Sequence, residues 1–178
     1  MTTTKWALDP SHSEISFKVK HLMISNVKGV FAGFTIDVTT TGDDFSTSDI
    51  SLSIDPATIS TGNADRDAHL KSADFFDADN FKAIAFKSEK MEKAGDDEFK
   101  LTGDLTIKGI SRKVILDVEF GGLMKDPWGN QKVGFSLNGK INRKDWGLNW
   151  NAALEAGGVL VGEEVKISAE VQFVKQAG

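Results

Sequence analysis

Residues 98–120 read EFKLTGDLTIKGISRKVILDVEF. Phe99, Leu101, Leu105 and Ile107 stand in one phase of a period-two alternation, and Val114, Leu116, Val118 and Phe120 stand in one phase of the next. Side chains of a strand alternate between faces, so each run buries one face and wets the other. Gly109-Ile110-Ser111 separates the runs as a turn, which predicts an antiparallel hairpin of strands over Glu98–Lys108 and Arg112–Phe120. Gly103 and Gly109 lie at no strand-to-helix junction, so they read as bend and turn residues and not as a phosphate loop.

The same alternation continues on both sides. Glu14–Lys20 aims Ile15, Phe17 and Val19 to one face. A second strand covers Lys28–Thr39, and its phase slips near Gly33, where a bend would hold Phe31, Phe34, Ile36 and Val38 on one side. Further strands are expected over Ser48–Asp55, Ala83–Lys90, Lys132–Arg143 and Gly162–Val174. Eight half-buried strands with mostly short connections favour antiparallel neighbours. No βα alternation is present, which argues against a parallel sheet. A two-sheet sandwich and a closed up-and-down barrel both suit the pattern. Strands of ten or more residues favour the barrel, which removes edges and leaves an interior just wide enough for one ligand. The expected fold is therefore all-β, an eight-stranded antiparallel barrel, with residues 1–178 as one domain.

One stretch breaks the alternation. Asn63–Lys71 (NADRDAHLK) is polar and free of β-branched residues, and it follows Thr61-Gly62, a potential cap region. A short helical excursion is expected there, followed by Phe75-Phe76. The segment reads either as a lid over something apolar or as a solvated crossover whose two Phe residues plug a core.

Composition narrows the function. With 178 residues, 40% hydrophobic and 26% charged, the chain is of ordinary globular type. Its net charge of −5 argues against non-specific binding to nucleic acid or to an anionic membrane surface, both of which need clustered positive charge. No apolar run reaches the length of a membrane span. The N-terminus, MTTTKWALDPSHSE, lacks the apolar segment of a signal peptide. A cytoplasmic location is expected, or a periplasmic one if a leader has been removed.

Candidate chemistry is sparse. There are no cysteines, so disulfides and thiolates are excluded. His12, His21 and His69 match no metal-site spacing, and no HExxH, nucleophile-elbow or dinucleotide pattern occurs. Asp65, Asp67, Asp74, Asp77 and Asp79 are dense, but Arg66 and Lys71 interrupt them and the spacing does not fit a calcium loop. No metal and no cofactor are expected.

Five segments in order, DPSHSEISFKVKHL (9–22), VKGVFAGF (27–34), DPATISTGNADRDAHLKSADFFDADNF (55–81), LTGDLTIKGIS (101–111) and INRKDWGLNWNAALEAGGVLVGEEVKI (141–167), together resemble the YceI-like family of lipocalin-like, polyisoprenoid-binding proteins. The resemblance spans nearly the whole chain. It implies an extended lipocalin-like barrel with a long apolar channel, a polyprenyl or similar tail inside it, no established catalysis, and a homodimer of which the sequence itself carries no sign. Two positions depart from the family pattern. Lys82 stands where a Pro is expected, and Trp146 stands where Phe is more common.

The strand phase places Phe17, Val19, Phe31, Phe86, Leu105, Ile107, Phe135 and Ile141 in such a channel, with Phe75, Phe76, Trp146 and Leu148 near an end. Burying hydrocarbon is worth about 0.8 kcal/mol per methylene-sized group, so any long chain that fits is favoured. Specificity would fall to the polar head. Arg66 is the first candidate to meet a phosphate, carboxylate or quinone oxygen, because guanidinium offers a fork of donors. A local ion pair with Asp65 or Asp67 is its alternative role. Arg143 and His12 are further head-group candidates. The expected function is non-enzymatic binding of a polyprenyl phosphate, prenyl quinone or similar isoprenoid amphiphile, for carriage, storage or sensing. The alternatives are an enzyme acting on such a lipid through carboxylates or His12 near the mouth, a fatty-acid or fatty-amide binder, and a solidly packed interaction barrel.

Overall fold

A computed structural model of the chain describes residues 2–151 and 160–176. Among these residues eleven strands form one antiparallel sheet: β1 (Thr3–Leu8), β2 (Glu14–His21), β3 (Ser25–Phe31), β4 (Phe34–Thr41), β5 (Asp44–Ile54), β6 (Ile59–Ser60), β7 (Ile84–Lys93), β8 (Glu98–Ile107), β9 (Ile110–Lys125), β10 (Gln131–Asn142) and β11 (Val161–Lys175). Their pairings reduce to eight long staves. On one edge of β11, β2 runs along residues 161–170 and β1 along 173–175. β4 pairs with β1 and β3 with β2; β5 pairs with β4 and β6 with β3. The remaining staves are β7, β8, β9, β10 and β11, and the β1–β11 pairing closes the ring. The result is an eight-stranded antiparallel barrel.

Two Asp-Pro pairs explain the interrupted staves. Asp9 and Asp55 each cap a single 3₁₀ turn, with Pro10 and Pro56 at its start. Proline has no N–H for the ladder and a φ suited to the first helical position. Between β3 and β4 the break falls at Ala32-Gly33. The Gly33 N–H donates to Thr58 Oγ1 at 2.9 Å, and the Asp55 N–H donates to the Gly33 carbonyl at 2.8 Å. The bend expected at Gly33 is therefore tied to the second Asp-Pro turn.

Several boundaries differ from the sequence reading. β1 was not expected, because its six residues TTKWAL offer little apolar signal beyond Trp6 and Leu8. The turn after β8 is two residues, Lys108 and Gly109, with φ of 51° and 75°. That tight geometry suits the twist of a hairpin, and it assigns Ile110 and Ser111 to β9. Gly103 lies inside β8, opposite a register shift at Ser88/Lys90. A Cβ there would strike the Phe86 ring and the Lys87 carbonyl.

α1 (Ala64–Lys71) is the one α-helix among the described residues. Its cap is Asn63, whose side chain accepts from the Arg66 N–H at 3.0 Å, and not the Thr61-Gly62 pair. No residue of α1 is fully buried. The sequence motif over residues 141–167 includes 152–159, which lie outside the described residues. No described helix is long and apolar enough to cross a membrane.

Candidate functional site: an apolar cavity with a cationic mouth

The barrel axis is hollow. A cavity of about 540 Å³ runs inside it, within the 300–1,000 Å³ range of small-ligand sites. Its wall follows β10 from Val133 through Phe135, Leu137 and Ile141 to Arg143. At about 3.4 Å per residue, Val133–Ile141 alone spans about 27 Å. One end is stoppered by aromatics. Phe45 packs on Trp6 (5.1 Å), on Phe135 (5.1 Å, edge-on) and on Phe120 (5.7 Å). The Trp6 indole N–H is satisfied by Thr40 Oγ1 at 2.9 Å. The wall between the ends is hydrocarbon from every stave.

The other end is polar and basic. Arg66, His69 and Leu70 reach the cavity from one face of α1, as an i, i+3, i+4 set must. Lys20, His21, Asp65 and Arg143 join them. Phe75 and Phe76 follow α1 and cover this end. His69 lies edge-on to Trp150 (4.6 Å) and to Phe75 (5.1 Å), and its Nε2 is 2.9 Å from Asp74 Oδ2. The polar segment at 63–71 and the Phe pair thus close the cavity together.

The two arginines differ in kind. Arg66 is half-buried. Its Nε donates to Thr61 Oγ1 at 2.7 Å and its Nη2 to the Thr61 carbonyl at 2.8 Å. Asp67 accepts from Thr61 instead, and no ion pair joins Arg66 to Asp65 or Asp67 among the described residues. Nη1 of Arg66 makes no hydrogen bond among the described residues, and the side chain lines this end of the cavity. Arg143 is 3% exposed. It donates to four carbonyls: Gly162 (2.8 Å), Trp150 (2.9 Å), Val161 (3.3 Å) and Leu148. Burial pushes its pKa down and Glu163 pushes it back up; a guanidinium remains charged regardless. Arg143 therefore pins the end of β10 to the start of β11, whatever it offers a ligand.

Of the twelve channel positions expected from sequence, Phe17, Val19, Phe31, Phe75, Phe76, Phe86, Leu105, Ile107, Phe135, Ile141 and Leu148 lie on the cavity wall. Trp146 does not. It is 2% exposed and packs behind the wall, with its indole N–H donating to the Leu105 carbonyl at 2.8 Å. The left-handed Gly147, φ 75°, turns the chain there. His12 is also misplaced by the sequence reading: its side chain is 57% exposed and lies off the wall. Its Nδ1 meets both Asp9 Oδ2 (2.9 Å) and Ser11 Oγ (3.2 Å). A Ser–His–Asp relay needs the two partners on different ring nitrogens, so this cluster is a turn cap. Sequence reading missed Trp6, His69, Leu70 and Trp150 on the wall. Trp6 sits on the unforeseen β1; the others depend on how α1 and the 147–151 segment fold back. No group of three potential metal ligands occurs among the described residues.

Fold and cavity together define a lipocalin-like barrel, a closed antiparallel sheet around an interior that can house one apolar molecule. The YceI-like domain family model matches residues 6–173, and the chain belongs to that family. It is 44% identical over 171 residues to a UPF0312 protein of Staphylococcus aureus strain N315, covering 96% of this chain and 97% of the relative. Among solved structures, a YceI protein of Campylobacter jejuni superposes with a TM-score of 0.77 at 34% identity, covering 89% of this chain and 90% of that one. A polyisoprenoid-binding domain of Saccharophagus degradans, implicated in plant cell wall breakdown, matches with a TM-score of 0.71 at 12% identity over 96% and 98% of the two chains. At that identity the likeness is one of fold.

Proposed function

We infer that the protein binds one long-chain amphiphile of isoprenoid type, tail inward, and performs no chemistry on it. The observation that carries this reading is the hydrocarbon-walled cavity of about 540 Å³, stoppered at one end and cationic at the other. Hydrophobic transfer supplies the affinity. An isoprene unit gains about 3–4 kcal/mol gross on burial, less the cost of association and of ordering the tail. A wall that runs about 27 Å along β10 leaves room for an extended tail of several isoprene units. A longer tail would have to emerge past α1.

The head belongs at Arg66, where Nη1 offers charge-assisted donors to a phosphate, carboxylate or quinone oxygen. Carriage, storage or sensing of a polyprenyl phosphate or prenyl quinone fits this arrangement. The polyisoprenoid-binding domain of Saccharophagus degradans shares this fold, which is in keeping with the ligand class.

The deciding experiment is organic extraction of protein purified without detergent, followed by mass spectrometry and by titration with a prenyl quinone. A stoichiometric isoprenoid, or saturable quinone uptake, is the expected result. An empty extract together with no uptake would refute the reading.

A further inference from the structure

Folding assembles a row of lysines that the sequence scatters. Lys28 of β3 is the register partner of Lys18 in β2, Lys18 that of Lys166 in β11, and Lys166 that of Lys140 in β10. All four are exposed. At about 4.8 Å between strands they form a basic line about 15 Å long across the outer face. Like charges set directly opposite destabilise a sheet. Other facing strands carry complementary pairs, Lys87 with Asp49, Lys100 with Asp117 and Lys113 with Glu89, and the like-charged register partners Glu14–Glu170 and Glu98–Glu119 are isolated pairs and not a row across four strands. Lys28 has Glu14 at 3.5 Å, but Lys18, Lys166 and Lys140 have no ion-pair partner among the described residues. Towards the cavity mouth come Lys20 and Glu164; away from it the face is uncharged at Ser16, Ser168 and Asn138.

The same two strands, β2 and β3, end in a three-residue tip, Leu22-Met23-Ile24. These residues are 38%, 56% and 83% exposed. Leu22 and Met23 have φ of 55° and 61°, a region where Gly or Asn is at ease and bulky apolar residues are strained. Such a turn breaks both a solubility rule and a backbone rule at once. The tip begins four residues, about 14 Å, beyond the Lys18–Lys28 pair, and the last residue of β2, His21, lines the cavity mouth.

We propose that this face docks on an anionic lipid bilayer: the Leu22–Ile24 tip enters the interfacial layer, the four lysines lie on lipid phosphates, and the cavity mouth opens towards the membrane. An apolar tip beside a basic surface is the chemistry of interfacial attachment. A free polyanion would satisfy the lysines but leave the apolar tip unexplained. The cavity's ligand does not enter the proposal, which holds for a barrel loaded with any amphiphile.

The test is vesicle flotation of the full chain with phosphatidylcholine alone and with one fifth phosphatidylglycerol. Binding is expected on the anionic vesicles only, falling steeply with added salt. K18Q, K140Q and K166Q, each at an exposed and unpaired position, should weaken it about fivefold apiece. I24S should weaken it as well, with an unchanged melting temperature. W128S is the control, since Trp128 is 83% exposed on the β9–β10 turn, away from this hairpin. Equal binding to neutral vesicles, indifference to the lysine changes, or loss with W128S in place of I24S would overturn the proposal. So would heparin binding, identical in wild type and I24S, without any vesicle binding.

Discussion

The far edge of the Phe17 ring sits over the bare Cα of Gly29, its directly opposite neighbour in the β2–β3 pair. A Cβ at residue 29 would overlap the ring. Phe17 is a cavity-wall residue, so the glycine sets both the strand packing and the local width of the cavity. Gly29→Ala should cost about 1–3 kcal/mol through overpacking. It should also push the ring into the lumen and weaken uptake of a hydrophobic probe. Urea unfolding and fluorescence titration measure the two effects separately.

The two arginines at the mouth should separate cleanly by substitution. Arg143→Met strands four carbonyls at the β10–β11 junction, that of Leu148 buried and the other three half-buried, and roughly 3–5 kcal/mol of stability should go with it. Arg143→Lys should recover little, since an ammonium cannot reproduce the guanidinium fork. Arg66→Met removes two bonds to Thr61 at a half-wet site, which should cost about 1 kcal/mol. Its larger effect should be on the affinity for an anionic amphiphile, read against a neutral long-chain alcohol. Equal losses for both ligands would remove Arg66 from head-group recognition.

The barrel was legible because most staves carry several apolar residues in one phase, and a one-residue error would flip each of them to solvent. Glu98–Phe120 and Lys132–Arg143 needed little more. What the alternation could not convey was continuity. Asp9-Pro10 and Asp55-Pro56 cut staves in two, so β1 and β6 looked like loop. Side chains whose role depends on folding back were hidden for a related reason. Arg143 is a clamp because carbonyls of Leu148, Trp150, Val161 and Gly162 return to it. Trp146 was expected near an end of the channel, but it lies behind the wall in a 3₁₀ segment, outside the alternation that the strands carry. Net charge conceals local clustering in the same way. The chain is acidic, yet strand register gathers Lys18, Lys28, Lys140 and Lys166 into one row.

Asp9 should give the fold an acid-sensitive seam. The Ser11 hydroxyl at 2.8 Å, then His12 at 2.9 Å, hold its carboxyl well below the usual carboxylate range, with Lys132 adding to them and burial opposing. A depressed folded pKa stabilises above the unfolded value, about 3.9, and that contribution is lost as pH falls from there towards the folded value. Asp9→Asn keeps a capping oxygen but not the charge. It should lose about 1–2 kcal/mol at pH 7, with the gap to wild type closing as pH falls below about 4. Urea midpoints from pH 7 to 2 check the slope; parallel curves would remove Asp9 from the acid response.

Ala169 offers the sharpest probe of the tail's position. It lies midway along the wall, the register partner of Ile15 on one side and Leu137 on the other. A small residue there keeps the lumen open between the aromatic stopper and the mouth. Ala169→Phe would place a ring across it. Because the space it fills is cavity and not packed core, stability should change by less than about 1.5 kcal/mol. Binding should change by chain length. A ten-carbon amphiphile, held near Arg66, should keep most of its affinity. One of twenty carbons should lose at least about tenfold, since two buried methylenes are already worth that much. If both chains bind the variant as they bind the parent, the tail does not thread the barrel past residue 169.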